Sequence, residues 1–98
     1  MNGGAVYILT NKFNTTLYVG VTANLQARLL QHLAKSDPKS FSARYNLNKL
    51  IYFQGYSTIT EAIRMEKIIK GWSRAKKEKL INSTNSEWKD LGQEVLEW

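Results

Sequence analysis

Cysteine is absent from this 98-residue chain, and proline and histidine occur once each. Without cysteine the chain can form no disulfide and offers no thiolate to zinc, and one histidine excludes a histidine-rich metal site. No apolar run approaches the roughly 18 residues that a membrane-spanning helix needs. The first residues also lack the basic segment that opens a secretory signal, so we expect a cytoplasmic protein.

Acidic residues are scarce in most of the chain. Residues 1–86 carry 13 Lys and Arg against 4 Asp and Glu, a net charge of +9, whereas residues 87–98 carry one against four. With 43% hydrophobic residues, the length suits one domain with a modest core, which we assign to residues 1–98. The end from about residue 92 is interpreted as a short acidic tail with no assigned role.

The basic body favours a polyanionic partner, because neutralising phosphates supplies most of the sequence-independent affinity for nucleic acid. Many small proteins are basic only for solubility, so charge alone leaves both interpretations open. A basic face that docks on an acidic protein surface is a further alternative.

A β-hairpin is predicted near the start of the chain. Residues 6–9 and 17–21 are rich in β-branched and aromatic residues, and the segment between them is polar. A loop of about four residues pairs Leu9 with Tyr18 and Tyr7 with Gly20, so the two tyrosines share one face. Gly20 then leaves a gap opposite Tyr7, as expected where another group approaches the backbone closely.

A helix should follow from residue 25 to about residue 35, with Thr22 or Asn24 as its N-cap. Its buried stripe is predicted to consist of Leu25, Leu29 and Leu33. Arg28 and His32 fall one turn apart on the border of that stripe, where both could point into a pocket beside the core.

The remaining elements complete an α/β (α+β) domain with a three-stranded antiparallel sheet flanked by helices. A loop with a short helical turn at residues 41–45 precedes a strand at residues 49–56, which is apolar on both faces and should lie between helices. Thr58 begins a capping box, so a helix is expected to about residue 72. Residues 73–82 predict another helix, with Ala75 and either Leu80 or Ile81 inward.

The residues Val6, Tyr7 and Ile8, then Tyr18, Val19 and Gly20, then Arg28 and His32, resemble the GIY-YIG nuclease domain of homing endonucleases, of the excinuclease UvrC and of small stand-alone bacterial proteins. The similarity continues through residues 61–67, 70–72 and 85–91 and is greatest to the stand-alone branch. It implies a Mg²⁺- or Mn²⁺-dependent endonuclease that hydrolyses DNA phosphodiester bonds.

The resemblance assigns roles to six residues. Tyr18 or Tyr7 would act as general base, with Arg28 binding the scissile phosphate and favouring the phenolate. Glu66 would hold the metal ion, weakly in the absence of substrate, because one carboxylate with waters and phosphate oxygens suits Mg²⁺. His32 would shuttle protons or contact phosphate, and Asn85 would supply an amide for the substrate or the site.

Each of these residues also has a structural interpretation. The tyrosines could form a cross-strand pair, Glu66 could pair with Arg28 or Lys70, and Asn85 could cap the segment that follows it. Trp72 lies among the basic residues of the third and fourth quarters of the chain, and its place on the apolar arc favours the core over base stacking. Further candidates for nucleic-acid contact are Tyr45, Lys49, Lys67, Lys70, Arg74, Lys76 and Lys77.

The chain departs from the family pattern at four positions. Val6 and Val19 replace Gly and Ile, which strands tolerate, and Ser86 replaces the usual Pro after Asn85. Val21 stands where some relatives carry a cation near the base, and Tyr45 and Lys49 are candidates to fill that gap.

The sequence therefore predicts a DNA nuclease of low intrinsic specificity that acts in DNA repair or processing, as a monomer or a weak dimer. The main alternative is a nucleic-acid-binding module with a vestigial nuclease site.

Overall fold

The computed structural model describes residues 3–34 and 44–98. Its sheet has three antiparallel strands, β1 (Gly4–Thr10), β2 (Leu17–Thr22) and β3 (Lys49–Tyr56), with β1 between the other two. All of β1 is buried, as its run of apolar residues requires in a central strand. The predicted three-stranded antiparallel sheet is confirmed.

The register of the hairpin is the predicted one. Leu9 pairs with Tyr18 and Tyr7 pairs with Gly20. Because side chains alternate along a strand, this register places both tyrosines on one face of the sheet and Val6 and Ile8 on the other. On its other side β1 pairs with β3, with a register shift between Ile8 and Leu9.

Within residues 3–34 and 44–98, the helices that flank the sheet are α1 (Leu25–Ala34), α2 (Ile59–Lys70), α3 (Arg74–Thr84) and the short α4 (Gly92–Leu96). The core on the tyrosine face includes Leu25 and Leu29 of α1 and Val95 of α4. The core on the opposite face includes Ala62 and Ile69 of α2 and Ile81 of α3. The sheet therefore separates an α1/α4 layer from an α2/α3 layer.

Short polar side chains begin three of the helices. The Asn24 carboxamide oxygen accepts from the Ala27 N–H at 3.0 Å, which makes Asn24 the N-cap of α1 and leaves Thr22 to bond the Asn24 backbone. Thr58 accepts from Glu61 N–H and Ser73 from Lys76 N–H in the same way. Helix α2 ends two residues before the predicted residue 72, and α3 runs two residues beyond the predicted residue 82.

Some details of the sequence prediction are wrong. Leu33 is 44% exposed, and the buried residues of α1 are Leu25 and Leu29. Ala75 is exposed, and Ile81 is the buried residue of α3. The predicted end of α1 near residue 35 and most of the predicted turn at residues 41–45 lie outside the described residues.

The acidic C-terminal segment is part of the fold. Val95 is fully buried, Leu91 and Leu96 pack against the same core, and the ring of Trp98 lies 5.4 Å from that of Phe53. The Gln26 amide donates to three backbone carbonyls of this segment, those of residues 95, 96 and 98. The residues interpreted from their charge as an acidic tail therefore form α4 and contribute Val95 to the core.

Candidate active site

Three rings meet on the α1 side of the hairpin. The ring centroids of Tyr7 and Tyr18 are 6.3 Å apart, and the His32 ring lies 5.9 Å from the first and 6.1 Å from the second. The Tyr7 hydroxyl oxygen is 3.2 Å from His32 Nε2, which is hydrogen-bonding distance. The predicted convergence of both tyrosines with His32 is therefore present in the structure.

Gly20 makes room for this arrangement. A Cβ atom built on Gly20 would overlap the Tyr7 ring, meeting the hydroxyl oxygen at 2.5 Å. The Tyr7 side chain therefore lies across the backbone of β2, the outer strand on this side of the sheet. Only glycine permits this approach, which explains the gap predicted opposite Tyr7.

Arg28 completes the cluster from α1. Its guanidinium acts on the Tyr7 phenol through charge and side-chain hydrogen bonding, and its charge also reaches the His32 ring. Arg28 is half-buried, so part of its fork of donors remains accessible from solvent. We refer to Tyr7, Tyr18, Arg28 and His32 as the hairpin cluster.

Burial decides the protonation of Tyr7. Desolvation raises the pKa of the Tyr7 phenol above its ordinary value near 10, the neighbouring Tyr18 raises it further, and Arg28 lowers it by less. Arg28 acts on Tyr7 in the predicted direction, but desolvation of this side chain, which is only 1% exposed, outweighs it. Of the two candidate bases, Tyr18 is the one with access to solvent.

His32 is held in its neutral form. Burial, and secondarily the charge of Arg28, lower the pKa of the His32 imidazole below its ordinary value of 6.5. A protonated Tyr7 phenol can donate to a neutral Nε2, which places the remaining ring proton on Nδ1. In this arrangement His32 is a hydrogen-bond acceptor that fixes the Tyr7 ring.

The lowered pKa of His32 predicts how stability changes with pH. Protonation favours the unfolded chain, so the free energy of unfolding should fall as pH decreases below about 6.5 and continue to fall towards the lower pKa of the folded state. Chemical denaturation of wild type and His32→Gln at pH 7.5 and pH 5.5 measures this. The wild type should lose more stability than the variant, and equal losses would contradict the assignment.

Glu66 lies in the other helical layer. It belongs to the buried stripe of α2 with Ala62 and Ile69, which packs on the face of the sheet opposite the tyrosines. Lys70 Nζ is 2.9 Å from Glu66 Oε1, and among the described residues this buried oxygen accepts no well-directed hydrogen bond. The prediction of a pair with Lys70 is confirmed. The structure does not bring Glu66 into contact with the tyrosines, because α2 packs on the opposite face of the sheet.

The side chain of Asn85 forms hydrogen bonds with backbone groups. Its Nδ2 donates to the carbonyls of Ile51 and Lys89 at 3.0 and 2.8 Å, and its Oδ1 accepts from Lys89 N–H at 3.0 Å. Both amide hydrogens are therefore used, and they tie the turn after α3 to β3, which lies across β1 from the hairpin strand β2. No helix begins at residue 87 for Asn85 to cap, and the structure favours a role in bracing the turn after α3 over a role in contacting substrate.

Several of the basic candidates have structural partners. Arg74 donates to the carbonyls of Asn14 and Thr15 and pairs with Glu78, and Lys76 lies 4.4 Å from the Trp72 ring centroid. Trp72 itself packs against the core, as predicted. Three other candidates sit on the surface to different extents: Tyr45 and Lys67 are exposed, and Lys77 is partly so.

Lys49 cannot fill the place of the missing cation at Val21. Val21 pairs with Val6 near the start of β1, whereas Lys49 pairs with Thr10 at its end and donates to Asn14 in the hairpin loop. Four residues of strand separate the two positions, about 13 Å. The sequence order of Val21 and Lys49 gave no measure of this separation, which only the strand register supplies.

No group of three or more histidine, cysteine, aspartate or glutamate side chains that could hold a metal ion occurs within residues 3–34 and 44–98. Over the same part of the chain, none of the helices has the length and apolar character needed to cross a bilayer.

Comparison with known proteins identifies the family of the chain. The model of the GIY-YIG catalytic domain matches residues 3–79. The UPF0213 protein SH2523 of Staphylococcus haemolyticus is 40% identical over 76 residues, which cover 78% of this chain and 90% of the relative. The UPF0213 protein NP_0776A of Natronomonas pharaonis is 34% identical over 76 residues, covering 78% and 87%.

A solved structure shows the same arrangement of elements. The solution NMR structure of the UPF0213 protein BH0048 from Bacillus halodurans superposes with a TM-score of 0.57 at 27% sequence identity. The match covers 92% of this chain and 94% of that one, so the similarity includes the region beyond residue 79. The relatives are proteins of similar length, which confirms the resemblance to the stand-alone branch.

Proposed function

The chain belongs to the GIY-YIG family of nuclease domains, and on that premise we propose that it hydrolyses DNA phosphodiester bonds with the help of a divalent cation. The observation that carries this proposal is the hairpin cluster, in which two phenols, an imidazole and a guanidinium meet at the outer strand of the sheet. No described part of the chain forms a separate DNA-reading module, so we expect low sequence specificity, as suits DNA repair or processing.

Tyr18 and Arg28 would act on the reacting atoms. The oxygen of a water molecule would attack phosphorus while Tyr18, in its phenolate form, takes the proton that the water releases. The bond from phosphorus to the leaving sugar oxygen would break, and that oxygen would take a proton from solvent water. Arg28 would bind two phosphate oxygens with its planar fork and oppose the negative charge that grows on them. Both side chains are half-buried, which gives them access to a phosphate in solvent.

Tyr7 and His32 would position this pair. The hydrogen bond between them is 3.2 Å long, and both pKa shifts favour the neutral forms. Because Tyr7 and His32 are both neutral, they add no charge that would compete with the phosphate for Arg28. The Tyr7 ring contacts the Tyr18 ring and so fixes the position of the Tyr18 side chain. Their role is to keep Tyr18 and Arg28 in one geometry.

Glu66 is the residue that would hold the cation. Its buried Oε1 is paired with Lys70 at 2.9 Å, so a cation would replace that ammonium, and one carboxylate with waters and phosphate oxygens is a common way to bind Mg²⁺. Helix α2 packs across β1 and β2, and β2 is an edge strand, so a bound phosphate could contact groups from both faces past that edge. The cation, when bound, would stabilise charge on the phosphate and on the leaving oxygen.

Cleavage of a supercoiled plasmid tests the proposed activity. The purified full chain should convert the plasmid to the nicked form with Mg²⁺ or Mn²⁺ and should stop when the cation is chelated. A preparation that nicks no plasmid and no single-stranded or branched DNA under these conditions would contradict the proposal.

Two variants separate a metal ligand from a structural ion pair at Glu66. Glu66→Gln should lower cleavage at least about a hundredfold at every Mg²⁺ concentration, because the ligand charge is lost. Lys70→Ala should lower the Mg²⁺ concentration needed for half-maximal cleavage about fivefold, because the competing ammonium is removed. Glu61→Gln changes an exposed carboxylate on the same helix and is the matched control.

The opposite result is equally informative. If Glu66 serves only the ion pair, Glu66→Gln and Lys70→Ala should both lower the unfolding midpoint and leave the Mg²⁺ dependence as in wild type. That outcome would remove Glu66 from the site while leaving the hairpin cluster untested by this experiment alone.

A non-catalytic nucleic-acid-binding module is the second candidate. The ion pair of Glu66 with Lys70, on the face of the sheet away from the tyrosines, favours this alternative. Binding of DNA that weakens steeply with salt, with no cleavage by wild type, would support it. The absence of salt-dependent DNA binding would instead favour an acidic protein partner.

A further inference from the structure

The loop of the hairpin is held in one conformation by contacts from three sides. Asn14 N–H donates to the Asn11 carbonyl, which closes a turn, and the Asn11 carboxamide oxygen accepts from the N–H groups of Thr15 and Thr16. Asn14 has a φ of 58°, a left-handed conformation that asparagine tolerates better than most residues. The loop is therefore ordered by its own side chains.

Two cations from other elements fix the same loop. Lys49 of β3 donates to the Asn14 carboxamide oxygen at 3.1 Å. Arg74 of α3 donates to the carbonyls of Asn14 and Thr15 at 2.6 and 2.8 Å. These contacts join the loop to both the sheet and the α2/α3 layer.

An apolar ring stands at the tip of this ordered loop. The turn places Lys12 and Phe13 at its two central positions, and Phe13 is 74% exposed, more than any other large hydrophobic side chain of the described residues. The ring contributes little to the core, so its stabilising value to the fold is small. The Lys12 ammonium lies 5.6 Å from the ring centroid and places a positive charge beside it.

We propose that Phe13, with Lys12 beside it, is a stacking site for an exposed nucleobase in a single-stranded or frayed segment of nucleic acid. An aromatic face next to a cation is the combination that binds single strands, through base stacking and phosphate contact together. A preorganised loop loses little conformational freedom when it binds. The inference rests on the proposed function and adds the class of substrate: DNA with an unpaired base near the cleaved bond.

The position of the loop agrees with such a role. Phe13 precedes Tyr18 by five residues, so the two are at most about 18 Å apart. That is about five steps of a nucleic-acid strand at 3.4 Å per step. A strand whose phosphate lies at the hairpin cluster therefore extends far enough for one of its bases to reach the Phe13 ring.

Fluorescence anisotropy in EDTA, which prevents cation-dependent cleavage, tests the stacking site. Wild type and variants of the full chain are titrated with labelled oligo(dT) and with an abasic oligonucleotide of the same length, which has the phosphates but no bases. Phe13→Ala should bind oligo(dT) about tenfold more weakly than wild type and the abasic strand equally well. Phe13→Trp should retain binding to oligo(dT).

Two further variants control the experiment. Ile63→Ala truncates an exposed apolar residue on α2 and should bind both strands as wild type does. Lys12→Ala should weaken both strands alike and reduce the salt dependence by about one phosphate contact.

The failure of this inference differs from the failure of the proposed function. If wild type binds oligo(dT) and Phe13→Ala binds it equally well, the stacking site is wrong while the nuclease proposal stands. If wild type binds neither strand but nicks plasmid, the substrate class is wrong. If wild type neither binds nor cleaves nucleic acid, both proposals fail.

Discussion

Arg28→Ala is expected to lower the rate of plasmid cleavage by about a hundredfold to a thousandfold, because removing a donor aimed at developing negative charge costs that much in other enzymes. Arg28→Lys should recover only part of the loss, since an ammonium cannot bind two oxygens with a planar fork. The rates are measured under single-turnover conditions, with protein in excess over plasmid.

The matched control for Arg28 is Arg64→Ala, which removes an exposed arginine from α2 and should cleave at the wild-type rate. Arg64→Ala should unfold within about 0.5 kcal/mol of wild type, as is usual for an exposed side chain. Arg28→Ala should lose about 1 kcal/mol, because its hydrogen bond with Tyr7 is removed. Equal cleavage by Arg28→Ala and wild type would show that the observed nicking comes from another protein in the preparation or from another site.

Gly20→Ala is expected to damage both stability and activity. The added methyl group overlaps the Tyr7 ring, which is buried and cannot swing into solvent without leaving the core. Overpacking of this kind typically costs about 1–3 kcal/mol, and the displaced ring would no longer position Tyr18. The free energy of unfolding and the cleavage rate are both measured.

Gly71→Ala is the control for the loss of a glycine. Its Cβ would lie 3.5 Å from the Ile68 carbonyl oxygen, an ordinary contact, and its φ of −78° suits alanine. This variant should be as stable as wild type or slightly more stable, because alanine restricts the unfolded chain. A Gly20→Ala protein with wild-type stability and activity would contradict the close approach of Tyr7 to β2.

A double variant locates the effect. Tyr7→Leu removes the ring atoms that the alanine methyl would meet, so Gly20→Ala combined with Tyr7→Leu should be less destabilised than the sum of the two single changes. Cleavage should remain low in the double variant, since the Tyr7 hydroxyl and its bond to His32 are lost. Additive losses of stability would place the strain of Gly20→Ala elsewhere.

Local pattern was sufficient to predict the hairpin cluster. The turn length fixed the register of Tyr7 and Tyr18, and the 3.6-residue period of α1 placed Arg28 and His32 on one side. These four residues come from consecutive elements joined by short connections. Their convergence therefore follows from the turn length and the helical period, both of which can be predicted from the sequence.

The position of Glu66 depended on long-range packing. Its helix crosses to the other face of the sheet, and the period of α2 shows which residues are buried but not which face of the sheet covers them. Asn85 was equally out of reach, because its partners Ile51 and Lys89 are set by how the turn after α3 meets β3. For both residues the sequence indicated what the side chain could bind, but it did not indicate which residues the side chain contacts.

Burial was the second quantity that the sequence left open. Arg28 was expected to lower the pKa of a neighbouring tyrosine, and it does act on Tyr7 in that direction, but desolvation raises that pKa by more. Phe13 was missed for a related reason. A phenylalanine between polar residues gave no signal of the ordered loop that holds it in solvent.

Single-turnover plasmid cleavage by Tyr18→Phe, which removes one oxygen atom and leaves the ring, tests the hairpin cluster most directly. If Tyr18 accepts the proton from the attacking water, the rate in Mg²⁺ should fall at least about a hundredfold while the unfolding midpoint stays that of wild type. Cleavage by Tyr18→Phe at the wild-type rate would contradict the proposed active site.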